Sequence, residues 1–147
     1  MSQQPHRVLR LWLRPLAGGP MVPAASLEAV EGEGLQGDHT FGRMRHVTLV
    51  FEDDWNAAAG SIGREVDPAG RRANVLLSGG GGARFVGQTL RIGAVTVHVR
   101  GITQPCPVMD EAAAGMQEAL RPDGRAGVWG RIVGGGAIRV GDELTAD

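Results

Sequence analysis

The stretch "TLRIGAVTVHVRG", residues 89–101, decides the architecture of this chain. Two short apolar runs flank Gly93. In the second, Val95, Val97 and Val99 share one face, while Thr96, His98 and Arg100 share the other. Side chains alternate across a strand, so this period of two predicts half-buried strands. The glycine between the runs predicts a hairpin, because tight turns need positive φ.

The same pattern recurs outward in both directions. "RVLRLWLR" (7–14) places Val8, Leu11 and Leu13 among arginines. "HVTLVF" (46–51) sets Val47, Leu49 and Phe51 against His46, Thr48 and Val50. "ANVLLS" (73–78) reads as a further strand, and "GVWGRIVGGGAIRVGDELTA" (127–146) as two strands around the turn "GGG". The 24 glycines among 147 residues do not recur every third position, which excludes collagen; they punctuate the apolar runs as turns. Two segments read as helical. "EDDWNAAAG" (52–60) starts acidic and ends in glycine. "PVMDEAAAGMQEALR" (107–121) puts Met109, Ala112, Ala113, Met116 and Leu120 on one stripe, although Gly115 costs about 1 kcal/mol there relative to alanine. Six or more strands with small helices predict a mainly β domain, a barrel or sandwich, over residues 1–147. "SGGGGARFVG" (78–87) reads as a loop; it lacks the strand–loop–helix context of a phosphate cradle.

Composition narrows the function. A net charge of −1 with no basic stripe argues against a nucleic-acid partner. The N-terminal apolar patch is short and broken by arginines, so neither a signal peptide nor a membrane span is expected. A single cysteine forms no internal disulfide, and a soluble cytoplasmic protein is expected. The chain contains no lysine. Schiff-base chemistry is thereby excluded, and pyridoxal phosphate is not expected. Anionic ligands fall to arginine, backbone N–H groups or small polar side chains.

The lone thiol, Cys106, sits in "GITQPCPVMDE" (101–111) between two prolines. Pro107 pushes the residue before it toward extended geometry and suits the first position of a helix, so Cys106 is expected at an N-cap. Asp110 and Glu111 in the first turn oppose a thiolate, which calls for a nearby arginine or protonated histidine. His98 and Arg100, on the strand leading to Cys106, are the candidates. The four histidines, His6, His39, His46 and His98, show no metal-ligand spacing with one another or with Cys106. The acidic pairs Asp53–Asp54 and Asp110–Glu111 are explained by presumed helix starts. From these residues alone the thiol is either functional or a small buried core residue.

The order of features, "GLQGDHTFGRMRHVTLV" (34–50), "RRANVLLSG" (71–79), "FVGQTLRIGAVTVHV" (85–99), "PCPVMDEA" (105–112) and "RAGVWGRIVGGGAIRVGDEL" (125–144), resembles the MOSC domain, named for the C-terminal domain of molybdenum-cofactor sulfurases. The resemblance covers about Leu27 to Leu144. It implies a β-barrel with a few short helices and a relation to the molybdenum cofactor (molybdopterin). It implies that Cys106 either carries sulfur as a persulfide or ligates molybdenum. Arg72 and Asn74 match the family's Arg-x-Asn element, implied to be in the cofactor pocket. Gly37 and Asp38 match its Gly-Asp turn, where a carboxylate can also serve by holding the turn. Arg125 and Arg131 flank "GVWG", and one of them is implied to contact phosphate. These 147 residues leave no room for a desulfurase, reductase or ferredoxin module beside the domain, and none is expected. A separate cysteine desulfurase as sulfur donor and a molybdoenzyme or redox partner as acceptor are therefore expected. The alternative is a non-catalytic module that binds a phosphorylated ligand or partner protein.

Overall fold

The computed structural model describes residues 5–146. In chain order the strands are β1 (His6–Leu13), β2 (Val22–Ala24), β3 (Ser26–Val30), β4 (Gly34–Leu35), β5 (Val47–Phe51), β6 (Val75–Leu77), β7 (Thr89–Ile92), β8 (Val95–Ile102), β9 (Val128–Gly134), β10 (Gly136–Arg139) and β11 (Glu143–Ala146). The α-helices are α1 (Glu52–Ser61) and α2 (Met116–Ala119), and short 3-10 turns lie between. Seven strands close into a barrel in the order β11-β7-β8-β9-β5-β6-β1, with β1 returning to β11. Closure leaves no edge to aggregate. A smaller sheet, β10-β3-β4, packs beside it.

The predicted hairpin is β7–β8, with Leu90 opposite Val97 and Ile92 opposite Val95. Val95, Val97 and Val99 point into the barrel and join Leu49, Phe51, Val75, Leu77 and Ile132 in one buried cluster. Burying each such side chain contributes roughly 1.5–3 kcal/mol, so the alternation is also the main source of stability. In β1 the inward residues Val8 and Leu11 are three apart, which simple alternation forbids. The pairing of β1 with β6 shifts between Val8 and Arg10. A bulge there adds one residue and resets the phase. The one parallel pair, β5–β6, is buried on both faces. Its outer side chains, Val50 and Leu76, pack with Trp12 and Ala73 in a second cluster.

Three sequence expectations need correction. The segment 127–146 forms three strands, and its "GGG" is no hairpin turn, because β10 leaves the barrel to pair with β3. Strands β2 to β4 were missed; β2 and β4 are three residues or fewer, and β3 alternates for only five residues, with Leu27 and Ala29 buried. The segment 107–121 is not one helix. It is a 3-10 turn over Pro107–Glu111, then the single turn α2, broken at Gly115 with φ of 95°. Its stripe is nonetheless buried: Met109, Ala113, Met116 and Leu120 pack on Trp55, Ala58 and Ala59 of α1, while Ala112 stays exposed.

Candidate functional site

A cavity of about 320 Å³ lies where the segment after β1, the loop after β4 and the residues following β8 meet the approach to β6. Cys106 lines it, together with Arg14, Asp38, His39, Arg45, Arg71, Arg72 and Asn74. Cys106 is exposed. Its backbone is extended (φ −126°, ψ 167°), and its carbonyl accepts from Met109 N–H at 2.9 Å, closing the 3-10 turn it caps. The segment before it is pinned. Thr103 N–H donates to Gly127 O at 3.0 Å, and Thr103 and Pro105 are buried. The thiol is thus presented from a fixed frame, and Cys106 is not the small buried core residue that the sequence left open.

Asp38 is buried and organises the wall. One carboxylate oxygen accepts from Arg14 N–H (2.8 Å) and from the Asn74 amide (3.3 Å). The other accepts from the Thr40 hydroxyl (2.6 Å) and the Thr40 N–H (3.2 Å). With its lone pairs engaged this way, its role is to hold the turn. Asn74 is similarly occupied. Its Oδ1 accepts from Thr48 N–H at 3.0 Å, and its Nδ2 donates to Trp12 O and to Asp38 Oδ1, each at 3.3 Å. It ties β1 to β5 across the start of β6 and keeps only an acceptor lone pair for a ligand.

The charge in the cavity belongs to four arginines, and Asp38 is the one carboxylate lining it. Arg14 is held by His39: His39 Nδ1 faces Arg14 O at 2.9 Å, and its Nε2 faces Arg14 Nη2 at 3.1 Å. Both contacts are satisfied when Nδ1 carries the proton and Nε2 accepts. Burial and the nearby Arg72 guanidinium pull Arg14 below the ordinary arginine pKa, against Asp38 and Cys106. Arg72 adopts the left-handed conformation (φ 63°) and donates through Nη2 to Gly19 O. Such a conformation costs a non-glycine residue about 1–3 kcal/mol. It lets Arg71 and Arg72, adjacent in sequence, line the same cavity. The Nε groups of Arg14 and Arg72 are buried with no hydrogen-bond partner among the described residues.

Arg71 ends the 3-10 turn Pro68–Arg71, capped by Asp67 through Ala69 N–H at 2.8 Å. That bond and Arg10 hold the Asp67 carboxyl below its usual range. Arg71 is 8% exposed, donating through Nε to Ala126 O and through Nη2 to Thr103 Oγ1 at 2.7 Å. Burial lowers its pKa to about 10, with Arg45 and Arg14 in the same sense and Cys106 opposing. It therefore stays charged at neutral pH.

Of the residues singled out from sequence, Cys106, Arg72, Asn74 and Asp38 line this cavity. His98, Arg125 and Arg131 do not. His98 sits opposite Thr89 and Arg131 in the barrel wall. Arg131 donates to Met44 O at 2.8 Å, and Arg125 to Ala119 O at 3.1 Å. Arg100 is likewise absent from the lining. The counter-charges near Cys106 are instead Arg14 and Arg71, with Arg45 lining the same cavity, and sequence reading passed them over because all fifteen arginines look alike. The glycine-rich loop holds no open anion cradle at Gly81 and Gly82. Their N–H groups donate to Asp54 at 2.8 and 3.1 Å, so Asp54 does more than complement a helix dipole. Among the described residues, no three His, Cys, Asp or Glu side chains converge as a metal site, and no helix is long and apolar enough to cross a membrane.

Comparison with known proteins places this arrangement. The crystal structure of the YuaD protein from Bacillus subtilis superposes with a TM-score of 0.83 at 18% identity, covering 96% of this chain and 94% of that one. YiiM from Geobacillus stearothermophilus gives 0.74 at 16% identity, covering 97% and 75%. YiiM from Escherichia coli gives 0.71 at 16% identity, covering 99% and 70%. At these identities the likeness is one of fold. A search of curated proteins found no match. The sequence profile of the MOSC domain matches residues 36–145, a span that holds Asp38, Arg71, Arg72, Asn74 and Cys106. This chain belongs to the MOSC domain family.

Proposed function

We propose that the cavity is a sulfur-handling, anion-binding site in which Cys106 is the working group and the arginines hold a phosphorylated ligand. The observation that carries this reading is the convergence of an exposed thiol and four guanidinium groups on one cavity. The MOSC family is associated with the molybdenum cofactor. The residues present fit that group: the arginines that line the cavity suit phosphate oxygens, and a thiolate suits a sulfur-preferring metal. Arg14, Arg45, Arg71 and Arg72 would hold the anionic part, and Cys106 would be the protein ligand. When bound, the cofactor supplies redox chemistry at molybdenum.

As a carrier, the Cys106 thiolate attacks the terminal sulfur of a donor persulfide. The donor's S–S bond breaks, its thiolate leaves, and Cys106 keeps the sulfur as a persulfide. No base at the sulfur is required once the thiolate exists. Hydrolysis of the cysteine-protease type lacks a base here: His39 is the histidine lining the cavity, and Arg14 engages both its nitrogens. The expected donor is a cysteine desulfurase, and the acceptor a molybdoenzyme or redox partner.

The test is intact mass after incubation with a desulfurase and cysteine. Wild type should gain one sulfur that a reductant removes, and Cys106→Ala should gain none. Equal loading of the two would remove Cys106 from the chemistry. The second reading, a binding module without catalysis, draws on the fact that the cavity's charge does not depend on the thiol. It predicts that Cys106→Ala keeps full ligand affinity while Arg72→Ala loses it.

A further inference from the structure

Charge is sorted across this molecule in a way the net value hides. No aspartate or glutamate occurs from residue 68 to residue 109, nor from 124 to 141. The barrel sets strands from these two stretches side by side as β7, β8 and β9. Their buried positions are apolar or glycine, so Arg91, His98, Arg100, Trp129 and Arg131 stand on the solvent side. The loop after β4 borders this face. Arg131 donates to Met44 O at 2.8 Å, and the Arg45 guanidinium lies over the Trp129 ring, 5.2 Å from its centroid. Met44 and Val133 are exposed. None of Arg43, Arg45, Arg91, Arg100 and Arg131 has a carboxylate partner among the described residues. Acidic side chains gather instead at the start of α1 and over residues 110–123. Like charges collected on one face repel one another, a cost that the fold itself does not require. Arginine with an indole, a thioether and no carboxylate is also the composition of the centre of a protein–protein interface.

We propose that the outer face of β7, β8 and β9 is the docking surface for an acidic partner protein, whose carboxylates meet Arg91, Arg100 and Arg131 while Trp129 and Met44 are covered. Arg45 lines the cavity, as does Thr48, which lies opposite Trp129, so a protein seated here borders the cavity mouth. The proposal rests on the reading above for the partner's purpose, but not on sulfur transfer for its geometry. A nucleic acid fits the face less well. Its phosphates would meet Glu31 and Glu33, in the turn whose Gly32 N–H donates to Ile132 O of β9, and on the other side Glu143 of β11. A second copy offering its acidic side would pair unlike faces head to tail and build open chains.

Polyglutamate stands in for the partner's carboxylates, and a single-stranded oligothymidylate of equal charge is the competing probe. Binding is followed by amide chemical shifts and calorimetry in wild type, Arg91→Glu/Arg100→Glu and Arg64→Glu/Arg121→Glu. The second pair follows α1 and α2, changes net charge equally and, like the first, is exposed and outside the cavity. Both variants should melt as wild type does. Wild type should bind polyglutamate less tightly as salt rises, with the largest shifts in β7–β9 and residues 41–45. Arg91→Glu/Arg100→Glu should bind roughly tenfold to a hundredfold more weakly, while Arg64→Glu/Arg121→Glu stays near wild type. Equal loss in the two variants would reduce the effect to net charge and overturn the proposal. So would no binding by wild type, shifts centred on the cavity, or tighter binding of oligothymidylate than of polyglutamate. Self-association of wild type that Arg91→Glu/Arg100→Glu abolishes would give the face to a second copy and overturn it as well. Cys106→Ala should bind polyglutamate as wild type does. A protein that docks the peptide on this face, yet never gains sulfur at Cys106, would sink the carrier reading and leave the surface standing.

Discussion

His46 sits wholly buried beside β4 and the start of β5, and its ring must stay neutral to do its work. Its Nδ1 accepts from Ile132 N–H at 2.9 Å, while Nε2 is buried and meets no partner within hydrogen-bond geometry among the described residues. Burial, and then the charge on Arg131, lower its pKa from the ordinary 6.5. The unfolded chain therefore takes up a proton at a higher pH than the folded one. Stability from this residue is complete above about pH 6.5 and is lost as pH falls through that value toward the depressed folded one. His46→Asn keeps an acceptor for Ile132 and removes the titration. Urea midpoints between pH 7 and 5 should fall for wild type and stay flatter for the variant; parallel slopes would contradict the assignment. Cys106 was legible in the sequence because it is unique and framed by prolines that dictate its backbone. Arg14, Arg45 and Arg71 were not. Their place depends on the closure of the barrel and on the conformation of Arg72, which no local pattern announces. His98 and Arg100 were chosen by nearness along the chain to Cys106, which is a poor guide when strands carry neighbours to opposite faces; Arg125 and Arg131 came from the family resemblance and do not line the cavity.

The segments that frame the site show where periodicity informs and where it misleads. Alternation found β5, β7 and β8 within a residue or two, because each has one face in the barrel. It also found the buried stripe of 107–121, yet not its shape. Gly115 at φ 95° ends any helix there, since only glycine adopts that conformation without strain. The sign of Gly115→Ala separates the two readings. A continuous helix would gain about 1 kcal/mol, whereas the broken segment should lose about that amount or more. The nearest neighbour of the added Cβ, Ile62 Cγ2 at 3.4 Å, is an ordinary contact, so the backbone decides. Chemical denaturation of the purified variant measures it. Asn74 carries the complementary lesson. Its family motif points to the ligand, and it does line the cavity; its amide also joins β1 and β5, which leaves one acceptor lone pair for a ligand.

The barrel brings residues from five separate stretches, between Arg14 and Cys106, to one cavity. Strand count and turn spacing were enough to anticipate a mainly β domain, a barrel or sandwich, and the family resemblance singled out the barrel. The charge of the cavity was invisible for the complementary reason: a net charge of −1 averages over a molecule in which four of the fifteen arginines line one cavity. The central claim is that the thiol and the arginines form one site. It is tested most directly by the rate of iodoacetamide alkylation of Cys106 in the native protein, with and without saturating inorganic phosphate at constant ionic strength. The account predicts ready alkylation of the folded protein, slowed by phosphate in wild type and unaffected by it in Arg71→Met. A thiol that reacts only after unfolding, or one whose rate ignores phosphate in wild type, would contradict it.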